Sequence, residues 1–343
     1  VNNFRLPLVA LVVAALLAGY LTPLVRSLAE KAGAVAVPRD RDVHVKAMPR
    51  WGGIAMYAGF MITLALVYVF IYFDRVHFPW NPHQLRQFAG LLIGATIVAA
   101  AGAIDDKYDL SPLWQTLALV SAGAVLVVFD VRIDGITNPF AHGFSLAPVK
   151  PHDLRSWMGF PKWLSALLTI LWVFLVTKTV DFMDGLDGLA SGISAISGAT
   201  LALLAAQSGQ YEVSIIAAAL VGVCIGFLRH NYNPASIIMG TVGAQFLGFV
   251  LASIAIIGAF KLAATLSFAL PVLALGVPIF DGLRVVVQRT INRTPAYLPD
   301  RTSHLHHILI NRGLSQRQAV WVIYGIVTAL CATALILFRL TTH

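Results

Sequence analysis

Apolar residues run along this chain in stretches of about twenty, parted by short polar segments, and the pattern recurs over the whole length. A helix rises 1.5 Å per residue, so each stretch is long enough to cross a hydrocarbon layer of roughly 30 Å. Ten candidate spans can be drawn: 6–23, 51–73, 88–104, 112–130, 163–180, 188–206, 212–228, 243–259, 263–281 and 320–338. Several contain Gly and Pro, which membrane helices tolerate because neighbouring helices re-satisfy the freed backbone groups. The first has Arg5 ahead of its apolar run but no small-x-small cleavage site, and reads as an uncleaved helix rather than a signal peptide. The pattern predicts an all-α integral membrane protein, a bundle of about ten transmembrane helices. With no break in composition, residues 1–343 read as a single polytopic domain. The longest gap, 131–162, holds "VRIDGITNPFAHGFSLAPV", which predicts a short external β-hairpin around a Gly/Asn/Pro turn.

Composition agrees with the pattern. Hydrophobic residues make 58% of the chain and charged ones 12%, against roughly 25% charged in soluble domains. The 24 Lys and Arg outnumber the 16 Asp and Glu. Most of the basic residues fall between Arg26 and Arg50, between Arg284 and Arg317, or at Lys107, Lys178 and Arg229. The positive-inside rule then puts the loops after spans 1, 3, 5, 7 and 9 in the cytoplasm and both termini outside. Cys224 and Cys331 lie inside apolar spans, where they read as packing residues rather than a disulfide or metal pair.

With so few acids, their positions carry information. Asp105 and Asp106, in "AGAIDDKYDLSP", end the third span, with Asp109 four residues beyond Asp105. Adjacent carboxylates repel unless a cation sits between them, although a solvated helix end decorated with acids accounts for the pair equally well. The run "KTVDFMDGLDGLASG" shifts the balance. Its Asp181, Asp184 and Asp187 recur every third residue, which on a helix makes one stripe of like charge, destabilising by itself. Ionisable residues beside a membrane span point to function. Five acids at two span ends on one side can converge on a cation-binding hollow, and oxygen ligands suit Mg²⁺, or Mn²⁺ in its place, better than Zn²⁺. A cytoplasmic His/Arg loop, "DRTSHLHHILINRG", holds His304, His306 and His307 between Arg301 and Arg312. That set reads as a clamp for a polyanion rather than a zinc site. Acids for a metal and bases for phosphates suggest phosphoryl chemistry on a lipid phosphate.

Four landmarks in order carry a resemblance: "RWGG" at 50–53, "DDKYDLSP" at 105–112, "DFMDGLDGLASG" at 181–192, and "NPASIIMG" at 233–240 followed by "DRTSHLHH" at 300–307. The chain resembles the polyprenyl-phosphate N-acetylhexosamine-1-phosphate transferases, membrane enzymes that move a sugar phosphate from a UDP-sugar onto undecaprenyl phosphate. The resemblance implies a site on the cytoplasmic face of the bacterial inner membrane, with Asp105, Asp106 and Asp184 in catalysis. It places Asp105 and Asp106 at the lipid phosphate, together with Lys46, and leaves open which aspartate is the base. Asp184 and Asp187 would serve the metal and nucleotide, and Arg301, His304, His306 and His307 would hold the donor's diphosphate or sugar.

Two departures stand out. Asp181 replaces the Asn usual in "NxxDGxDGL", and Thr241 in "MGTVGAQ" replaces the Asp usual in "MGD", a metal ligand. An exchange, with Asp181 supplying the negative charge and Thr241 at most a neutral oxygen, would keep the acid count at the metal. Lys178, where Asn is usual, could pair with Asp181 instead, and a catalytically impaired relative stays open. The expected reaction is transfer of N-acetylglucosamine-1-phosphate from UDP-GlcNAc to undecaprenyl phosphate with release of UMP. "DRTSHLHH" resembles the HexNAc branch more than the muramoyl-pentapeptide branch, which tends to show three consecutive histidines, and other HexNAc donors remain open. A cation transporter should carry its acids near the bilayer midplane instead. No nucleic-acid partner is expected, and the chain leaves a homodimer open.

Overall fold

The computed structural model describes residues 5–36, 47–73, 81–137, 157–258, 269–292 and 304–342. It is helical almost throughout, with twelve helices and four very short strands among the described residues. Eight of the helices are long and apolar enough to cross a membrane: α1 (Arg5–Ala32), α2 (Gly52–Phe73), α3 (Pro82–Tyr108), α5 (Lys162–Met183), α6 (Leu189–Gln207), α7 (Tyr211–Asn231), α8 (Gly240–Ile257) and α12 (Gln316–Thr342). A ninth, α4 (Pro112–Val128), forms at the fourth expected span but has 17 residues.

Of the expected span 263–281, residues 263–268 lie outside the described residues. Its described part is not one continuous helix: α9 (Ala269–Ala274) stops at Leu275, and α10 restarts at Gly276 and runs to Ile291. Pro278 lies in the first turn of α10, where a missing N–H costs nothing, so the break falls where the sequence permits it. The histidine segment also differs from a plain loop, since α11 (Leu305–Asn311) forms there with His304 as its N-cap residue. The strands at the expected hairpin are β3 (Gly135–Thr137) and β4 (Trp157–Gly159), antiparallel with Ile136 opposite Met158. They join the two ends of the 131–162 segment, and the expected turn lies outside the described residues. A second small ribbon pairs β1 (Val35–Ala36) with β2 (Met48–Pro49).

Small residues decide how closely the helices approach. On α1, Ala10, Ala14 and Ala18 are fully buried at four-residue spacing, with Ala14 against Gly222 of α7 and Ala18 against Gly59 of α2. A side chain at Gly222 or Gly226 would strike the α1 backbone at Leu11 or Ala15. This is the small-xxx-small packing that lets membrane helices meet through backbone contact. The same device operates between α3 and α8, where Gly102 faces the backbone of Thr241 and Val242, and between α2 and α8 at Gly53 and Gly243. Helix α8 is buried at every position from Val242 to Ile256, and so forms the centre of the bundle. Apolar on every side, it is the helix such a position requires.

Candidate active site

The C-terminal ends of α3, α5 and α7 and the N-terminal ends of α2, α4, α6, α8 and α12 meet at one end of the bundle. Helix α3 starts on a capping box, with Asn81 accepting the His83 and Gln84 N–H groups. It ends at Asp109, whose left-handed backbone (φ 47°) closes the last turn onto the Asp105 carbonyl. In its last turn Asp105 and Asp106 are both buried. Asp106 Oδ1 accepts the N–H of Thr241 at 2.8 Å and Oδ2 that of Val242 at 3.2 Å. A carboxylate at a helix N-terminus satisfies orphan donors and meets the positive end of the dipole, so Asp106 caps α8. Gly240 makes this contact possible. Its backbone is left-handed (φ 69°), and any side chain there would collide with the Asp106 carboxylate and the Arg50 carbonyl.

Asp105 takes different partners: Oδ1 accepts Leu110 N–H at 2.9 Å and Gln115 Nε2–H at 2.8 Å. The "RWGG" segment packs beside it. Trp51 Nε1–H donates to the Ala103 carbonyl, Gly52 and Gly53 N–H donate to Ile238 and Met239, and Arg50 pairs with Asp109 at 3.0 Å. This motif therefore fastens α3 to the segment leading into α8.

Helix α5 ends at Met183, so only Asp181 of the acidic stripe is helical; Asp184 is the C-cap and Asp187 sits in the following turn. The chain reverses at Gly188 (φ 77°), whose N–H donates to Asn231 Oδ1. Asp187 is buried, and its Oδ2 accepts Asn233 Nδ2–H at 2.9 Å and Ala235 N–H at 3.1 Å. Asn233 in turn donates to Gln316, and Arg317 donates to its carbonyl, which ties the start of α12 to the same place. Asp181 Oδ2 lies 2.9 Å from Lys178 Nζ and accepts from Gln245 at 3.3 Å. Burial, then the charges of Asp181, Asp106 and Asp187, push the Asp184 carboxyl well above the usual carboxylate range. Asp106 of α3, Asp181 of α5 and Asp187 after it thus lie close enough to act on Asp184.

The histidines complete the same end. His306 is buried, and a side chain at Gly185 would run into its ring, so it lies directly on the aspartate turn. Burial, reinforced by His307 and His304, lowers the His306 imidazole to about 3, which keeps it neutral. Its Nδ1 is buried with no hydrogen bond among the described residues. His304 stacks on His306 at 5.6 Å, and the His306 and His307 rings stand 4.2 Å apart.

One residue that sequence reading missed holds this element. Asp281, buried in α10, places Oδ2 2.8 Å from His304 Nδ1, while Oδ1 accepts the N–H of Leu305, the first residue of α11. An acid next to the apolar "VPIF" was the available signal, obscured because it coincided with the expected end of a span. Gln115 and Gln245 were missed too, since an amide in a helix has no spacing signature, and Asn233 was part of the "NPASIIMG" landmark but had no role given to it. Lys46 and Arg301 lie outside the described residues.

Among the described residues, no three His, Cys, Asp or Glu side chains form a ready metal cage. Mg²⁺ needs none, taking one or two carboxylates with phosphate and water. The chemistry of the donor set fits it: oxygen ligands, with a carboxyl under like-charge pressure that a divalent cation would relieve.

A family model described as glycosyl transferase family 4 matches residues 88–259. A probable undecaprenyl-phosphate N-acetylglucosaminyl 1-phosphate transferase of Bacillus subtilis is 33% identical over 330 residues, spanning 96% of this chain and 84% of that protein. A decaprenyl-phosphate N-acetylglucosaminephosphotransferase of Mycobacterium tuberculosis is 32% identical, over 91% of this chain and 77% of its own length. An undecaprenyl-phosphate alpha-N-acetylglucosaminyl 1-phosphate transferase of Escherichia coli K12 is 25% identical over 90% of this chain and 77% of that protein.

Proposed function

This chain belongs to glycosyl transferase family 4, and from that membership we propose that it moves N-acetylglucosamine-1-phosphate from UDP-GlcNAc onto undecaprenyl phosphate. A lipid phosphate oxygen attacks the sugar-bearing phosphorus of the donor, the bond from that phosphorus to the bridging oxygen breaks, and UMP leaves. This would be the first membrane step in building a cell-envelope glycan, carried out at the cytoplasmic face of the inner membrane. The basic residues Arg26, Lys31, Arg50 and Arg317 at the same end of the bundle support that orientation.

The observation that carries the reading is the meeting of Asp184 with Asp181, Asp106 and Asp187 directly beneath His306. Acids at helix ends, beside histidines, suit an interfacial phosphate reaction and not an ion path at mid-membrane.

In this reading Asp105 accepts or positions the lipid phosphate's proton. Leu110 N–H and the Gln115 amide fix its Oδ1, which leaves Oδ2 to the substrate. Asp106, with both oxygens on backbone N–H groups, holds α8 in register and adds negative charge to the site. Asp184 and Asp187 would hold a divalent cation, Mg²⁺ or Mn²⁺, which when bound neutralises charge on the donor diphosphate and on the departing phosphate oxygen. The neutral His306 offers Nδ1 as an unused hydrogen-bonding atom for the donor, while His304, His307 and Arg301 supply further contacts to its phosphates or sugar.

The test is UMP release by protein purified in detergent, given undecaprenyl phosphate and a panel of UDP-GlcNAc, UDP-GalNAc and UDP-muramoyl-pentapeptide, with and without Mg²⁺. UMP from UDP-GlcNAc that requires both Mg²⁺ and lipid is expected. No release from any donor would overturn the reaction, and preferential use of another donor would change the substrate.

A further inference from the structure

The carboxylate cluster contains a lysine to which the proposed reaction gives no role. Lys178 lies on the last turns of α5, its Nζ 2.9 Å from Asp181 Oδ2 and 2.7 Å from Gln115 Oε1. Gln115 passes the contact on, its Nε2 donating to Asp105 Oδ1 at 2.8 Å. Gln245 donates to the same Asp181 oxygen as the lysine. The side chains of Lys178 and Asp181 are only 15% and 16% exposed. This chain of five polar side chains links α3, α4, α5 and α8 around one shielded ion pair.

Shielding matters because an ion pair of low exposure is screened little by salt and held in place by its further hydrogen bonds. One of the site's acids thus has a fixed counter-charge, and the oxygen that carries the pair is already occupied by two donors. Asp181 is among the carboxylates that raise Asp184, so its ion pair with Lys178 connects the lysine to the centre.

We propose that Lys178 is the internal counter-ion of the carboxylate cluster, withholding Asp181 from the divalent cation and setting how tightly the site binds it. The Lys178–Asp181 pair then behaves as a neutral unit, and Asp184 and Asp187 carry the cation. The competing arrangement is Asp181 as a ligand in its own right, with the lysine released when the ion binds.

A charge cycle separates the two. Wild type, Lys178→Met, Asp181→Asn and the double variant are purified in detergent and titrated with Mn²⁺ in the absence of substrates, with free Mn²⁺ read by electron paramagnetic resonance. Removing Lys178 leaves a full negative charge near the ion and should tighten binding about fivefold to tenfold. Removing Asp181 leaves an uncompensated lysine and should weaken it by a similar factor. The double variant should return to within about twofold of wild type, as for a pair whose charges cancel. A double variant tenfold weaker than wild type, or Lys178→Met binding unchanged or weaker, would overturn the proposal. Lys178→Gln replaces the methionine variant if the latter does not fold. The inference rests on the proposed reaction only for the presence of a divalent ion. Wild-type protein that releases UMP yet takes up no Mn²⁺ overturns this inference and leaves the transfer standing. Protein that follows the Mn²⁺ cycle yet releases no UMP does the reverse.

Discussion

Asp106 and Asp187 rest on backbone N–H groups at the start of α8, the central helix, and in the segment before it. His304 and His306 ride on a helix of seven residues, fastened to α10 through the two oxygens of Asp281. The Thr241 and Val242 N–H groups belong to a long packed helix and cannot move without unfolding it, whereas the start of the short α11 depends on the one carboxylate of Asp281. The carboxylate half thus carries like-charge repulsion, and the histidine half carries a buried neutral imidazole on a short helix started by one carboxylate. The two halves should therefore fail in different ways.

The largest expected effect lies in the carboxylate half. Asp184→Asn should lower turnover by about 10³-fold or more, as loss of a group acting in the reaction does. It should also stabilise the substrate-free protein. A raised folded carboxyl disfavours folding once the pH exceeds the value for the unfolded chain, so the gain in melting temperature should be clear at pH 8 and vanish near pH 4. An equal or lower melting temperature at pH 8 would break the claim that this half carries like-charge repulsion.

Next comes the anchor of the other half. Asp281→Ala leaves the His304 ring and the first N–H of α11 without their acceptor. Truncating one partner of a buried charged hydrogen bond costs about 2–5 kcal/mol. Turnover should fall by about 10²-fold through weaker donor binding, seen as a raised KM. Mn²⁺ affinity should stay at the wild-type value, and its loss would mean that the halves are not independent.

A smaller effect tests the buried histidine. Its imidazole stays neutral down to about 3, while in the unfolded chain it takes up a proton near 6.5. Stability therefore falls as pH drops below 6.5, by at most about 1.4 kcal/mol per pH unit. Thermal melts at pH 7.5 and 5.5 should show a smaller loss for His306→Asn than for wild type. The smallest effect belongs outside both halves. Leu16, on the open side of α1 away from α7, is 69% exposed in the bundle, and Leu16→Ala should change stability by less than about 0.5 kcal/mol with turnover unaltered.

Much of this was legible before any coordinates. The long apolar stretches gave the spans because burial in lipid needs only length and composition, both properties of a linear pattern. The DD pair and the acidic stripe stood out because acids are rare here. The interruption at Leu275 was not legible because the apolar content runs through it, although Gly276 and Pro278 make a new helix start feasible. Asp281 and Gln115 were missed because their partners lie 23 and 63 residues away, beyond any local spacing rule.

The sequence by itself determined that this chain is a helical membrane protein and which short motifs carry its chemistry, because hydrophobic length and motif order survive in one dimension. Only the tertiary structure decided what each charge faces: Asp106 on a helix start 135 residues later, Lys178 on Asp181 and Gln115, Asp281 on His304. The reason is steric before it is electrostatic. Gly102, Gly53 and Gly243 let α2 and α3 meet α8 backbone to backbone, and that approach sets which carboxylate finds a donor and which is left to repel its neighbours.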